Sequence, residues 1–296
     1  MVVPSMRYRE EVNAYFQEQS SFWKSIYSNK GVYAQIHRDR QATALAWIDS
    51  LNLSPGSQVL ETGCGAGFMA IALAQKGFHI TAIDAIDAMI EQAQQNARES
   101  GTADLISLDI GDVYSLAYDE RSFDLVVALG VIPWLERPEL AIQEMARVAK
   151  PGGFILFTAD NRARLNFLFD PWFNPLVAPL KQGIKLALEQ AGFRRHTVID
   201  LDSALHSRRY IDKLVACAGL MKTKSKTLGF GPFTFLRRAI FPESFGVKLH
   251  LRLQHLADRG VFGFRSTGAH YLVLARKPLP AQSMSAGGSI SNSVTV

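Results

Sequence analysis

Val59-Leu60-Glu61-Thr62-Gly63-Cys64-Gly65-Ala66-Gly67 is the stretch on which the fold turns. Val59 and Leu60 belong to a short apolar run that predicts a strand buried on both faces, as in a parallel sheet. Glycines at 63, 65 and 67 let the backbone turn and approach a ligand without Cβ clashes. Phe68 to Lys76 then reads as a helix ended by Gly77. Strand, glycine turn and helix in that order present backbone N–H groups and a helix N-terminus to a ligand. Asp84 stands 21 residues after Gly63, at the end of the next apolar run. A carboxylate there can accept hydrogen bonds from a ribose diol. The dinucleotide fingerprint is excluded, because it needs glycine where Phe68 stands.

Working outward, apolar runs at Phe78 to Ile83, Leu105 to Asp109, Phe123 to Leu129 and Phe154 to Thr158 predict strands. They are separated by helical patterns, notably Ala88 to Glu99 and Pro138 to Val148. That alternation implies βαβ units around a parallel sheet. Further on, Ser207 to Ala218 reads as a helix, and Lys222 to Thr227 and Ala269 to Arg276 as strands. Residues 9–51 carry apolar positions near a 3.6-residue period, so an N-terminal helical cap is expected over 1–51. The main domain is expected over 52–279, with aromatic and basic insertions at about 161–202 and 229–266. The Ser/Gly-rich, uncharged tail 280–296 is expected to be disordered.

With these positions quoted, the chain resembles the class I S-adenosylmethionine-dependent methyltransferases. Glu61 followed by Gly63, Gly65 and Gly67 looks like their motif I. Asp84 matches the acidic ribose position, and Gly111-Asp112-Val113 the acidic position after the third strand. Phe123-Asp124-Leu125-Val126 with Leu129-Gly130 looks like motif IV. Arg147-Val148-Ala149-Lys150-Pro151-Gly152-Gly153 resembles the turn before strand five, with Ala149 where leucine is usual. The resemblance implies a seven-stranded Rossmann-like α/β sheet, mostly parallel with an antiparallel last strand and helices on both faces. It also implies S-adenosyl-L-methionine as cofactor, held by Glu61, Gly63, Gly65, Gly67, Asp84, Asp112, Val113 and Leu129. Many small-molecule relatives have a histidine just after strand four. Here that stretch is Val131-Ile132-Pro133-Trp134, so no catalytic base is assigned.

Composition narrows the partners. The 296 residues are 48% hydrophobic and 20% charged, ordinary globular usage. The net charge of +5 hides a split: residues 1–150 carry −7 and residues 151–296 carry +12. The resemblance ties the acidic half to a cationic cofactor and leaves the basic half, with its insertions, to the acceptor. Candidate acceptor contacts are Tyr33, Trp134, Asn161, Arg162 and Arg164, with Tyr27 and His37 beside them. Arg40 is read as a solvated helix residue rather than a cofactor contact, and His270 as structural. The favoured acceptor is a small metabolite, anionic or lipid-like. An RNA acceptor, as in the tRNA wobble-uridine methyltransferases, and a non-catalytic cofactor-binding role are the alternatives. Two cysteines and seven histidines show no disulfide framework and no metal-ligand spacing. The N-terminal residues do not read as a signal peptide, and the longest uncharged apolar run is too short for a bilayer. A cytoplasmic protein is expected.

Overall fold

The computed structural model describes residues 5–280 apart from 28, 172, 175, 176, 178–182, 184–202 and 237. The expectation for the tail and for Trp172, Pro175 and Pro179 of the first insertion lies outside the described residues. The N-terminal region is three helices: α1 (Met6–Glu18), α2 (Ser20–Ser25) and α3 (Val32–Asp49). The Ser5 hydroxyl caps α1 by accepting from the Tyr8 N–H. Asn29-Lys30-Gly31 breaks the run before α3, with Gly31 at φ +104°.

The alternating elements then follow: β1 (Gln58–Thr62), α4 (Phe68–Ala74), β2 (His79–Asp84), α5 (Asp87–Glu99), β3 (Ile106–Ile110), β4 (Phe123–Ala128), α6 (Pro138–Val148) and β5 (Ala149–Asn161). After β5 come α7 (Leu165–Phe169), β6 (Leu205–His206), α8 (Arg208–Cys217), β7 (Met221–Leu228), β8 (Thr234–Phe235), β9 (Arg238–Ala239), α9 (Glu243–Asp258) and β10 (His270–Arg276). The sheet order is β3-β2-β1-β4-β5-β10-β7, and the two-residue β6 pairs with the end of β5. β10 runs antiparallel to both neighbours, while the β1 pairings with β2 and β4 are parallel. The main path therefore has the seven strands and single reversed strand implied by the resemblance.

Strand alternation builds two cores from adjacent residues. Leu60, Val126, Ile155, Phe157 and Val273 pack on one face with Ile142 and Met145 of α6 and Ile211 of α8. Val59, Leu125, Val127, Leu156 and Leu272 pack on the other with Leu73 of α4 and Ala44 and Ile48 of α3. At the strand starts, Lys150 Nζ donates to both Asp124 oxygens at 2.9 Å, and Asp124 also accepts from the Gln58 N–H.

Part of the basic excess goes to an edge. β7 is the last strand of the sheet, exposed from Met221 to Ser225, and carries Lys222, Lys224 and Lys226. Lys222 pairs with Asp212, Lys226 with Asp258, and Lys224 donates to the Ser50 hydroxyl. Lysines along an exposed edge oppose pairing with another chain. The second insertion has structure of its own: a β8–β9 hairpin, α9, and a small core of Phe230, Phe233 and Ala257. It is tied to the cap through His250. His250 Nδ1 accepts from the Phe230 N–H at 3.0 Å, and Nε2 donates to Asp39 of α3 at 2.8 Å. No helix among the described residues is long and apolar enough to cross a membrane.

Candidate functional site

A cavity of about 990 Å³ opens at the carboxyl ends of the parallel strands. It lies where the order reverses between β1 and β4, the crevice in which open α/β sheets bind ligands. Its floor at one end is the glycine turn. Gly63 sits at φ +63°, and a Cβ there would fall 2.4 Å from Val131 Cγ2. Gly65 sits at φ +53° and its N–H donates to Asp84 Oδ2 at 2.8 Å; the other Asp84 oxygen accepts from the Ile86 N–H. Burial pushes the Asp84 carboxyl up despite those two donors. Asp112 accepts from the Tyr114 N–H and pairs with Arg9, so α1 is strapped over this end.

Glu61 is the most constrained of these acids. It is 3% exposed, and its Oε2 has no hydrogen-bond partner. Burial, with the neighbouring Asp84 charge adding to it, lifts its carboxyl to about 8 although the Ala70 N–H donates to it. A Cβ at Gly65 would meet no protein atom within 4 Å, so the turn leaves open space beside the carboxylates. An unsatisfied buried carboxyl oxygen, two more acids and one strapped arginine suit a cationic adenosyl ligand. These residues therefore fit S-adenosylmethionine: Asp84 and Asp112 would supply acceptors for its polar groups, and Glu61 a buried carboxyl beside them.

The other end is aromatic. Trp134 stacks on Tyr15 at 5.3 Å and meets Phe16 edge-on at 5.0 Å. Tyr33 lies 4.4 Å from His37, and Phe167 stacks on Phe173 at 4.7 Å with the Arg164 guanidinium 4.5 Å above it. Among the rings are buried charges. Arg40 is 7% exposed and its Nε has no partner. Asp160 accepts from His270 Nδ1 at 2.9 Å and from the Ser203 hydroxyl at 2.7 Å, and pairs with Arg164 at 2.8 Å. Burial pushes Asp160 up, but the hydrogen bonds from His270 and Ser203 and the charge of Arg164 outweigh it and hold the carboxyl well below the usual range. Burial pushes the His37 imidazole down to about 2, helped by Arg40 and His270.

Of the residues expected at the cofactor, Glu61, Gly63, Gly65, Asp84, Asp112, Val113 and Leu129 line the cavity. Gly67 does not; at φ +79° it opens α4 against Ala93. Of the expected acceptor contacts, Tyr33, Trp134 and Arg164 line it, as do Tyr27 and His37. Asn161 does not line the cavity. It is buried and clamps the second insertion, its Nδ2 donating to the Ser266 and Gly268 carbonyls and its Oδ1 accepting from the Ala163 N–H. Arg162 does not line it either and is exposed. Arg40 is buried at the cavity, not on a solvated helix face, and His270 lines the cavity with Asp160. Cys64 is buried beside Glu61 and Asp84, and burial raises its thiol far above the ordinary value, which makes it inert filler.

Sheet order, glycine turn and strand-end acids together match what the resemblance to class I S-adenosylmethionine-dependent methyltransferases implies for this domain. Residues 60–157 match the family described as "Methyltransferase domain". The chain is 35% identical over 156 residues to a ubiquinone biosynthesis O-methyltransferase of Paracidovorax citrulli (strain AAC00-1), a match covering 52% of this chain and 63% of that protein. A second such enzyme, from Albidiferax ferrireducens, is 32% identical over 52% of this chain and 60% of its own length. The chain thus spans less than two thirds of these curated relatives. Among solved structures, magnesium protoporphyrin IX methyltransferase from Synechocystis PCC 6803 superposes with a TM-score of 0.60. The identity is 17%, and the match covers 91% of this chain and 99% of that one. That likeness is one of fold.

Proposed function

We propose that this protein transfers a methyl group from S-adenosyl-L-methionine to a small, largely apolar acceptor. The observation that carries the reading is one continuous cavity, acidic at the glycine turn and aromatic at the far end. Its volume of about 990 Å³ is at the upper end for small-molecule sites, room for a cofactor with an acceptor beside it. The cofactor supplies a methyl group already activated on a sulfonium. The chain's work is to orient the acceptor and exclude water. Tyr15, Phe16 and Trp134 wall the acceptor end, and the Arg9–Asp112 pair holds α1 across the cofactor end.

The O-methyltransferases of ubiquinone biosynthesis support a ring-bearing, lipid-like acceptor, and the buried Arg40 and Arg164 suit an acceptor that carries negative charge. The lysines of β7 lie on a sheet edge and already have partners, which weakens the case for an RNA acceptor. Calorimetric titration with S-adenosylhomocysteine tests the cofactor: wild type should bind, and Asp84→Ala should bind at least tenfold more weakly. Failure of wild type to bind would overturn the reading. Transfer of labelled methyl into an organic extract supports a metabolite acceptor, whereas label in RNA with a steep salt dependence would replace it.

A further inference from the structure

His270 stands outside the glycine turn and its acids, and lines the cavity beside Asp160 and Arg164. β10 is antiparallel to β5, so its first residue lies at the edge where β5 ends, and the register pairs His270 with Asp160. Both line the cavity, with side chains only 13% and 11% exposed. An ionised carboxylate only accepts hydrogen bonds, so the contact to Asp160 fixes the imidazole proton on Nδ1. The Nε2 lone pair is then left on the side away from Asp160. We propose that His270 is the general base of the reaction, with Asp160 its positioning residue, and that the acceptor is a hydroxyl compound of the phenol or enol class. The proposal rests on the methyltransferase reading above.

The electrostatics keep the base ready. Burial lowers the His270 imidazole; Asp160 opposes this, and Arg40 and Arg164 add to it, so the ring is neutral at pH 7. The titratable and charged groups facing it are Asp160 from the end of β5, Arg164 at the start of α7, and Arg40 and His37 from α3. In the step, Nε2 takes the acceptor O–H proton while the acceptor oxygen forms its bond to the methyl carbon. The C–S bond breaks and its electron pair stays on sulfur. The products are a methyl ether, S-adenosylhomocysteine and an imidazolium held by the Asp160 carboxylate, which then passes its proton to water. A phenol or enol needs such a base at neutral pH, because its neutral oxygen is a weak nucleophile.

The probe is 4-nitrocatechol, whose visible spectrum distinguishes phenol from phenolate. Bound to wild type loaded with S-adenosylhomocysteine at pH 6, it is expected to show more phenolate than the free probe. His270→Asn, which keeps a group able to bond Asp160, should bind it without that gain. With S-adenosylmethionine and unsubstituted catechol, whose hydroxyls stay neutral at pH 7, single-turnover methylation should fall about 10²–10⁴-fold in His270→Asn, with KM little changed and the acidic limb of the pH profile lost. Asp160→Asn should slow the step less and move the limb, and Asp160→Glu should restore part of it. His270→Gln, with melting curves for all variants, guards against a folding defect. Equal spectra and rates in wild type and both His270 variants would overturn the base. Probe neither bound nor methylated by wild type would overturn the acceptor class. Variants and wild type alike failing to bind S-adenosylhomocysteine would instead sink the methyltransferase reading itself.

Discussion

Glu61 offers a test of the cofactor end that needs no acceptor. Its carboxyl sits at about 8 in the folded protein, against 4.5 ordinarily, chiefly through burial. Between those two values the unfolded chain ionises Glu61 and the folded chain keeps its proton, so stability falls as pH rises through the window. At pH 7 the gap favours the unfolded chain by roughly 3 kcal/mol, at about 1.4 kcal/mol per pH unit. Glu61→Gln keeps the volume and stays neutral in both states. The variant should therefore gain on wild type as pH rises from 5 to 8, by on the order of 3 kcal/mol, or about 6 °C in Tm for a chain of this size. Differential scanning calorimetry of both proteins across that range reads the difference, in which the other titrating groups cancel. A Tm difference that stays flat with pH would refute the assignment of a protonated, buried Glu61. Adding S-adenosylmethionine brings a counter-charge, so wild type should release a proton on binding near pH 7 and Glu61→Gln should release less. Binding enthalpies measured in buffers of different ionisation enthalpy check that arm.

Gly63→Ala forces an alanine to φ +63° and puts its Cβ 2.4 Å from Val131. The expected cost is about 2–5 kcal/mol in urea unfolding; a loss under about 0.5 kcal/mol would contradict the turn geometry. His250→Leu strands the Phe230 N–H and removes a partner of Asp39, and should cost roughly 2–4 kcal/mol in the same assay. Replacing Lys222, Lys224 and Lys226 together by Thr should promote aggregation, seen by light scattering, with methylation per folded molecule unchanged. Lost RNA binding or activity in that variant would instead assign β7 a substrate role.

The frame was legible because it rests on short-range pattern. Runs such as Leu125-Val126-Val127 and the spacing of three glycines are local, and the order of strands follows from right-handed βαβ connection. The acceptor end was not legible, for two reasons visible in particular residues. Asp160 and His270 are 110 positions apart and meet only because β10 reverses beside β5. Asn161 is the neighbour of Asp160, and in a pleated strand successive side chains project oppositely. A one-residue ambiguity in β5 therefore decides which of the two faces the cavity. Arg40 escapes the local pattern for a related reason: α3 is only weakly amphipathic in sequence, and the Arg40 guanidinium lies against Gly130 just past the end of β4, far along the chain.

The charge split also reads differently once the sheet is assembled. Part of the basic excess guards the β7 edge, but Arg40 and Arg164 stand inside the cavity with His37 and His270, opposite Glu61, Asp84 and Asp112. Methyl transfer removes a positive charge from the acidic end and leaves a proton at the basic end. Arg40 and Arg164 both depress the His270 imidazole, after burial, and so drive that proton off before the next turnover. Arg40→Met keeps most of the packing volume and removes one of the two cations. The His270 imidazole should then rise, and because the base works only when neutral, the acidic limb of the rate–pH profile should move to higher pH. Proton release after a single turnover, followed with a pH-indicating dye, should slow in the same variant. A limb that stays in place or moves to lower pH in Arg40→Met would show that the guanidinium does not set the state of the imidazole.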